Sequence, residues 1–406
     1  MTAQTLLLPL LAGGARRLTD AVIPGLLAQR LNVGSLTLTL PSGAQHVLTG
    51  PQPGPHAALR LNTTRALRRL LLGGVVGLAE AYMDGDWDSP DLAALLELGD
   101  RNDRVRADPL DGHGMVRLMR RFWHRRRENT RRGSRRNIAA HYDLGNAFYS
   151  QWLDAGMTYS AALYARPQDS LAAAQDRKYR ALADDIGLAP GMTVLEIGCG
   201  WGGFAEIAAR DYGARVVGLT LSREQHDWAV RRMAQAGLGD RVEIRLQDYR
   251  DVQGSFDRIV SIEMIEAVGE RWWPTYFATL HDRLKPGGKA GLQAITIADE
   301  RFPAYRAGCD FIQRHVFPGG MLPSPAALRQ QAERAGLTLA TTRCFGADYE
   351  RTLAEWGRAF AEAWPTIQPL GFDTRFKRLW EFYIAYCRAG FRTDAIDVRH
   401  LLLERR

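Results

Sequence analysis

Glu196-Ile197-Gly198-Cys199-Gly200-Trp201-Gly202-Gly203 is the stretch of this 406-residue chain whose residue types point most directly to chemistry. A carboxylate stands two residues before a cluster of glycines. Glycine has no Cβ, so the backbone can lie against a ligand. The N–H groups that open a following helix attract negative or polar ligand atoms. The chemistry such a turn serves is cofactor capture. Spacing sorts the candidates. A dinucleotide site wants Gly-x-Gly-x-x-Gly, and these glycines do not keep it because Phe204 and Ala205 follow. A phosphate loop needs Gly-Lys-Ser/Thr, which is absent. A bare strand-turn-helix without a ligand is the plain alternative.

The elements around the turn must hold it. Val194 to Ile197 is a short apolar run that reads as a buried strand, and Phe204 to Arg210 has helical spacing. Strands are expected at 215–219, 242–246, 256–262 and 289–297, and helices at 170–187, 222–236 and 272–284. Alternation of this kind implies an α/β fold with a parallel sheet and right-handed crossovers. Ala298 to Pro325 is an insertion too apolar for a simple connection. A helix at 324–335, a strand at 338–344, helices near 353–363 and 372–390, and a last strand near 396–402 complete the chain.

Upstream, residues 1–110 read as a smaller, mainly helical accessory domain. Leu31 to Leu40 is a candidate strand, Pro51 to Pro55 a loop, 65–72 carries a basic, apolar-rich face, and 77–83 and 91–98 read as helices, the last capped by Ser89 or Asp91. Docking to lipid or dimerisation are its candidate roles. Residues 111–136 form a basic linker, with ten arginines around Phe122 and Trp123. Such a segment suits an anionic lipid surface. A solvated linker and a nucleic-acid patch are its rivals. No nucleic-acid module accompanies it, so no nucleic acid is expected as a partner.

Composition sets the outer bounds. The chain is 46% hydrophobic and 24% charged, as globular proteins are, with net charge +8, which favours acidic partners. Cys199, Cys309, Cys344 and Cys387 are scattered without metal spacing, which fits a reducing cytosol. No apolar run reaches the ~18–20 residues that span a bilayer. Leu6 to Leu11 has no basic residues before it, the wrong polarity for a secretory signal. Membrane contact is therefore expected to be peripheral, at the inner face.

The glycine turn resembles the Glu/Asp-x-Gly-x-Gly-x-Gly motif of S-adenosylmethionine-dependent methyltransferases, with Glu196, Gly198, Gly200 and Gly202 in register. Further motifs narrow the resemblance. They are His141-Tyr142-Asp143-Leu144-Gly145-Asn146, Thr158-Tyr159-Ser160, Gly218 to Ser222, Glu266 to Gly269, Phe317 to Ser324, Phe345 to Tyr349, and Cys387 to Arg392. In order and spacing, residues 137–406 are similar to the cyclopropane-fatty-acyl-phospholipid synthase family. Residues 1–110 resemble, more loosely, the N-terminal domain of its full-length bacterial members.

The resemblance implies a class I, Rossmann-like methyltransferase domain at 137–406 with a seven-stranded sheet. It implies one-carbon transfer to the cis double bond of an unsaturated phospholipid acyl chain, then proton loss and closure to a cyclopropane. An alkene is a poor nucleophile, so the site must exclude water. Tyr159, Ser160, Glu196, Gly198, Gly200 and Gly202 are expected at the cofactor. Thr220, Ser222 and Gln225 stand where many relatives bind the ribose, and Asp248 and Tyr249 where adenine lies. The family holds bicarbonate as its base. Glu266, Tyr349, Gln293 and the backbone of Ile295 occupy the matching positions, and Cys387 matches the family's C-terminal active cysteine. Two positions depart: Ala161 replaces a cysteine and Gln293 a histidine. Glutamine cannot titrate, so altered proton loss and a methyl- or methylene-branched product form the alternative. A soluble small-molecule methyltransferase and a non-catalytic binding module are further rivals. A second copy of the chain is a candidate partner.

Overall fold

The computed structural model describes residues 16–104, 130, 133 and 144–406. The arginines of the basic linker and His141-Tyr142-Asp143 lie outside the described residues. The chain divides into two compact units, residues 1–122 with 372–393, and residues 123–371 with 394–406.

In the first unit, β1 (Val33–Thr39) pairs antiparallel with β2 (Gln45–Thr49) and parallel with β3 (Gln52–Leu61), and β3 pairs with β4 (Trp87–Asp88). Helices Arg16–Ala28, Arg65–Met83, Leu92–Arg104 and Thr374–Arg392 accompany this sheet. Helices outweigh strands here, as expected, but the loop expected at Pro51 to Pro55 is the start of β3. Pro53 and Pro55 fall inside a register shift between the Val33–Gln52 and Ser35–His56 pairs, where a missing N–H breaks no ladder bond. Asp91 caps its helix by accepting from the Ala94 N–H at 3.0 Å.

The second unit is the α/β one. Its sheet comprises β5 (Thr193–Ile197), β6 (Arg215–Thr220), β7 (Val242–Leu246), β8 (Phe256–Ile262), β9 (Leu284–Ile297), β10 (Leu337–Cys344) and β11 (Ile396–Arg405). They lie in the order β10-β11-β9-β8-β5-β6-β7. From β9 to β7 all neighbours are parallel, while β11 runs antiparallel between β9 and β10. This is the seven-stranded, mostly parallel sheet the sequence led us to expect. Apolar side chains fill both faces. One cluster gathers Leu195, Ile259, Phe277 and Leu292, and the other Val194, Phe204, Val216 and Val260. The chain leaves β5 toward β6 on one side, and β8 lies on the other. That reversal falls at the carboxyl ends of β5 and β8, the position where open α/β sheets bind ligands.

One boundary differs from the expected 137–406 domain. Helix Thr374–Arg392 packs with helices Arg65–Met83 and Leu92–Arg104 of the first unit. Its reason is visible in side chains: Arg378 lies over the Tyr82 ring at 3.9 Å, and Tyr82 donates to Glu381 at 3.1 Å.

Candidate active site

The glycine turn follows β5 directly. Gly198, Gly200 and Gly202 take φ of +84°, +53° and +85°, left-handed values that favour glycine. The Gly198 and Cys199 N–H groups both donate to the Leu219 carbonyl, which ties the turn to β6. A Cβ on Gly198 would stand 2.9 Å from Met264 Cγ, so the turn lies against the segment that follows β8. Beneath it, Glu196 is buried, and its Oε2 accepts no hydrogen bond among the described residues. Burial pushes its pKa up to about 8, against the opposing pull of Arg232 and Lys178. An orphaned, buried carboxylate oxygen next to a glycine turn suits an ammonium ligand.

Tyr159 and Ser160 sit within a wall of side chains on the same unit. The Tyr159 ring lies 5.5 Å from Tyr149 and 5.2 Å from Trp356, and Tyr149 lies 5.3 Å from Trp201 in the glycine turn. Ser160 accepts at Oγ from Lys178 Nζ at 2.6 Å. Lys178 is completely buried, and burial lowers its pKa to about 7 although Glu263, Asp154 and Glu196 draw it upward. The sequence reading missed this lysine. Its signal was available: Ala174, Lys178 and Leu182 recur at helical spacing on the buried face of helix Leu171–Asp185.

Thr220, Ser222 and Gln225 come together as expected, but they hold one another. Thr220 donates to the Gln225 side-chain oxygen at 2.9 Å, and Ser222 caps helix Arg223–Gln235 by accepting from the Gln225 N–H. Asp248 is buried and carries a two-point ion pair with Arg250, at 2.8 Å from Nε and 2.6 Å from a terminal nitrogen. Tyr249 keeps a buried hydroxyl that accepts and donates nothing among the described residues, and burial raises its pKa to about 12.

Beyond β8 and β9 four expected residues converge. Glu266 accepts from the Ile295 N–H at 2.5 Å. Its other oxygen, Oε2, is buried without a hydrogen bond, and burial, then the neighbouring Glu263, push its pKa up to about 8. Gln293 and Tyr349 do not face an open anion site. Gln293 Nε2 donates to Glu263 Oε1 at 2.7 Å, the Ala161 N–H donates to the same oxygen at 2.8 Å, and the Tyr349 hydroxyl donates to Glu263 Oε2 at 2.7 Å. Gln293 Oε1 pairs with His400 Nε2 at 2.9 Å, which fixes the amide's orientation. The expected bicarbonate therefore does not fit: its donors are already engaged by a carboxylate of the chain itself. Glu263 and His400 were missed by the sequence reading. Glu263 directly follows β8, and only the tertiary fold carries His400 of β11 to Gln293 of β9.

Cys387 is the fifth expected catalytic residue. It belongs to helix Thr374–Arg392 of the first unit. The apolar insertion is itself packed. Phe311, Val316 and Met321 are buried, and Phe302 stacks on Trp273.

Sheet order, glycine turn and orphaned Glu196 together define an S-adenosylmethionine-dependent methyltransferase. The chain belongs to the mycolic acid cyclopropane synthetase family, whose model matches residues 129–401. It is 42% identical over 341 residues to the tuberculostearic acid methyltransferase UfaA1 of Mycobacterium tuberculosis, covering 82% of this chain and 79% of that protein. It is 37% identical to the cyclopropane-fatty-acyl-phospholipid synthase of Escherichia coli, over 86% of this chain and 88% of that one. Among solved structures, mycolic acid cyclopropane synthase CmaA1 complexed with SAH and CTAB superposes with TM-score 0.63 at 30% identity, over 66% of this chain and 98% of that one. The protein is thus an enzyme of S-adenosylmethionine-dependent lipid acyl modification. Among the described residues, no helix is long and apolar enough to cross a membrane.

Proposed function

We propose that this enzyme adds the one-carbon unit of S-adenosylmethionine to the cis double bond of unsaturated phospholipid acyl chains and closes it to a cyclopropane. The observation that carries this reading is one continuous site. The glycine turn with its orphaned Glu196 abuts, through Met264, the segment bearing Glu263 and Glu266. When bound, the cofactor supplies an electrophilic methyl group. Glu196 holds its ammonium, the glycine turn lies along it, and Tyr249 packs near its base. The aromatic wall of Tyr149, Tyr159, Trp201 and Trp356 keeps water away from the alkene and from the cation that forms on the acyl chain. The carboxylates beyond β8 favour that cation and receive its proton.

A methyl- or methylene-branched product is the second reading. It is favoured by the altered residues, Ala161 and Gln293, and by relatives named as fatty acid methyltransferases, one from Pseudomonas putida at 35% identity. The basic linker is proposed to hold the enzyme at an anionic membrane surface on the cytoplasmic side, with the first unit as docking or dimerisation module. Expression in a host with unsaturated phospholipids, followed by mass spectrometry of the fatty acids before and after catalytic hydrogenation, tests the reading. A cyclopropane survives mild hydrogenation and a methylene branch does not. Unaltered acyl chains in the presence of folded protein and cofactor would sink it. Sedimentation with anionic vesicles should show binding that weakens with salt.

A further inference from the structure

We propose that Glu263 is the built-in base of this enzyme, its carboxylate standing where the family's bicarbonate is expected. The inference rests on the proposed one-carbon transfer. Three donors reach the two oxygens of this side chain: the Ala161 N–H at 2.8 Å, Gln293 Nε2 at 2.7 Å and the Tyr349 hydroxyl at 2.7 Å. Of these, position 161 and Gln293 are the two departures from the family pattern, and both face Glu263. A small alanine leaves room for the carboxylate. A glutamine supplies an N–H that donates whatever the pH, and His400 behind it holds the amide in that sense. With Glu263 the two departures form one arrangement rather than two separate losses.

The backbone supports the assignment. Glu263 has φ of +49°, a left-handed value rare for a side-chain-bearing residue, and its N–H is pinned to the Gln293 carbonyl at 2.8 Å. Strain of this kind persists where surrounding contacts over-determine it, and it concentrates at functional sites. Charge separates the two neighbouring carboxyls. Glu263 has three donors and the buried Lys178 ammonium nearby, whereas Glu266 has the Ile295 N–H and an orphaned oxygen. Donors and an opposite charge favour the ionised form. These contacts favour the ionised form at Glu263 more than at Glu266. Burial raises the Glu263 pKa from its ordinary value, which makes it a better proton acceptor than an exposed carboxylate.

The step balances simply. A C–H bond of the newly added methyl breaks, and its electron pair forms the third carbon–carbon bond of the ring at the cationic carbon. The proton passes to Glu263, which becomes a neutral acid and returns it to solvent after product leaves. For the methylene product, a hydride first shifts to the cationic carbon, and the same C–H pair then becomes the double bond.

The test compares the full-length enzyme with Glu263→Gln and Glu263→Gly on unsaturated phospholipid vesicles, with bicarbonate stripped or added. Binding of isotope-labelled bicarbonate is followed in parallel by NMR. The wild type should bind no bicarbonate and turn over equally without it. Glu263→Gln should lose roughly a hundredfold or more in kcat, the range of a general base, with the cofactor KM changed far less. Glu263→Gly, which suits the left-handed backbone, should acquire bicarbonate binding and recover turnover with added bicarbonate. Bicarbonate bound by the wild type, wild-type turnover that falls on stripping, or an undiminished Glu263→Gln would overturn the assignment while leaving the proposed function standing. A folded Glu263→Gly that neither binds bicarbonate nor is rescued would also overturn it. If the glycine variant does not fold, the glutamine variant and wild-type binding decide. A wild type that alters no acyl chain defeats both proposals.

Discussion

The two halves of the site are built on opposite terms. At the cofactor edge, beyond β5 to β7, the polar side chains largely satisfy one another. Thr220 holds Gln225, Ser222 caps a helix, and Asp248 pairs with Arg250. The Glu196 carboxyl and the Tyr249 hydroxyl each keep a buried atom with no hydrogen bond among the described residues. At the proton edge, beyond β8 and β9, donors from three separate segments converge on one carboxylate. The first half is a rigid frame with a few open atoms. The second is a charge held in readiness. Substitutions in the frame should change cofactor affinity without changing what is made. Substitutions at the proton edge should do the reverse.

The largest effect on the frame is expected from Glu196→Gln. Losing a charged partner for the ammonium should weaken S-adenosylmethionine binding by about ten- to a hundredfold, read by calorimetry, with the product ratio unchanged. The pH dependence sharpens this. Glu196 has its pKa near 8 without cofactor, so it is mostly protonated at neutral pH. A cation favours its ionised form, so binding should release a proton, and affinity should rise with pH until about 8. Glu196→Gln should abolish that release, measured in buffers of different ionisation enthalpy.

At the proton edge, Tyr349→Phe removes one donor from Glu263. It should lower kcat by about tenfold or more while cofactor affinity moves little. The pair Ala161→Cys with Gln293→His should change the product ratio only when Glu263→Gly accompanies it, because otherwise the carboxylate still fills the space. A shift in ratio from the pair alone would break the comparison. Cys387→Ser should change either half by less than about twofold, because the proposed transfer and proton loss use no thiol. A loss of turnover there would return the thiol to the mechanism.

The smallest effect concerns stability rather than either half. Burial tends to raise the Asp257 pKa, but Lys285 at 2.7 Å and the Thr193 N–H and hydroxyl outweigh it and hold the carboxyl at about 2. A depressed pKa stabilises the fold fully above the unfolded carboxylate value, about 3.9, and the benefit fades as pH falls toward 2. Asp257→Asn should lower the urea midpoint modestly at pH 7, and the gap to wild type should close in acid.

Legibility followed the reach of each signal. The glycine turn, the alternation of strands and helices, and the cap at Asp91 are local, because turn geometry and capping depend on residues a few positions apart. Those were readable. Lys178 was readable in principle, since a lysine on an apolar helical stripe is anomalous, and it was passed over. Helix Thr374–Arg392 looked like part of the α/β unit by position alone, and its packing partners lie nearly three hundred residues earlier.

The sequence by itself determined the sheet and the cofactor turn, since periodicity and spacing encode them directly, and its separate motifs carried the resemblance to the family. It also displayed Ala161 and Gln293 as departures. What they serve was decided by the tertiary structure. Ala161, Glu263, Gln293, Tyr349 and His400 come from five stretches of chain, and hydrogen bonds between side chains so distant leave no pattern in one sequence. Only folding the sheet and the Tyr349 helix together puts three donors around one carboxylate and turns two apparent losses into a single substituted base.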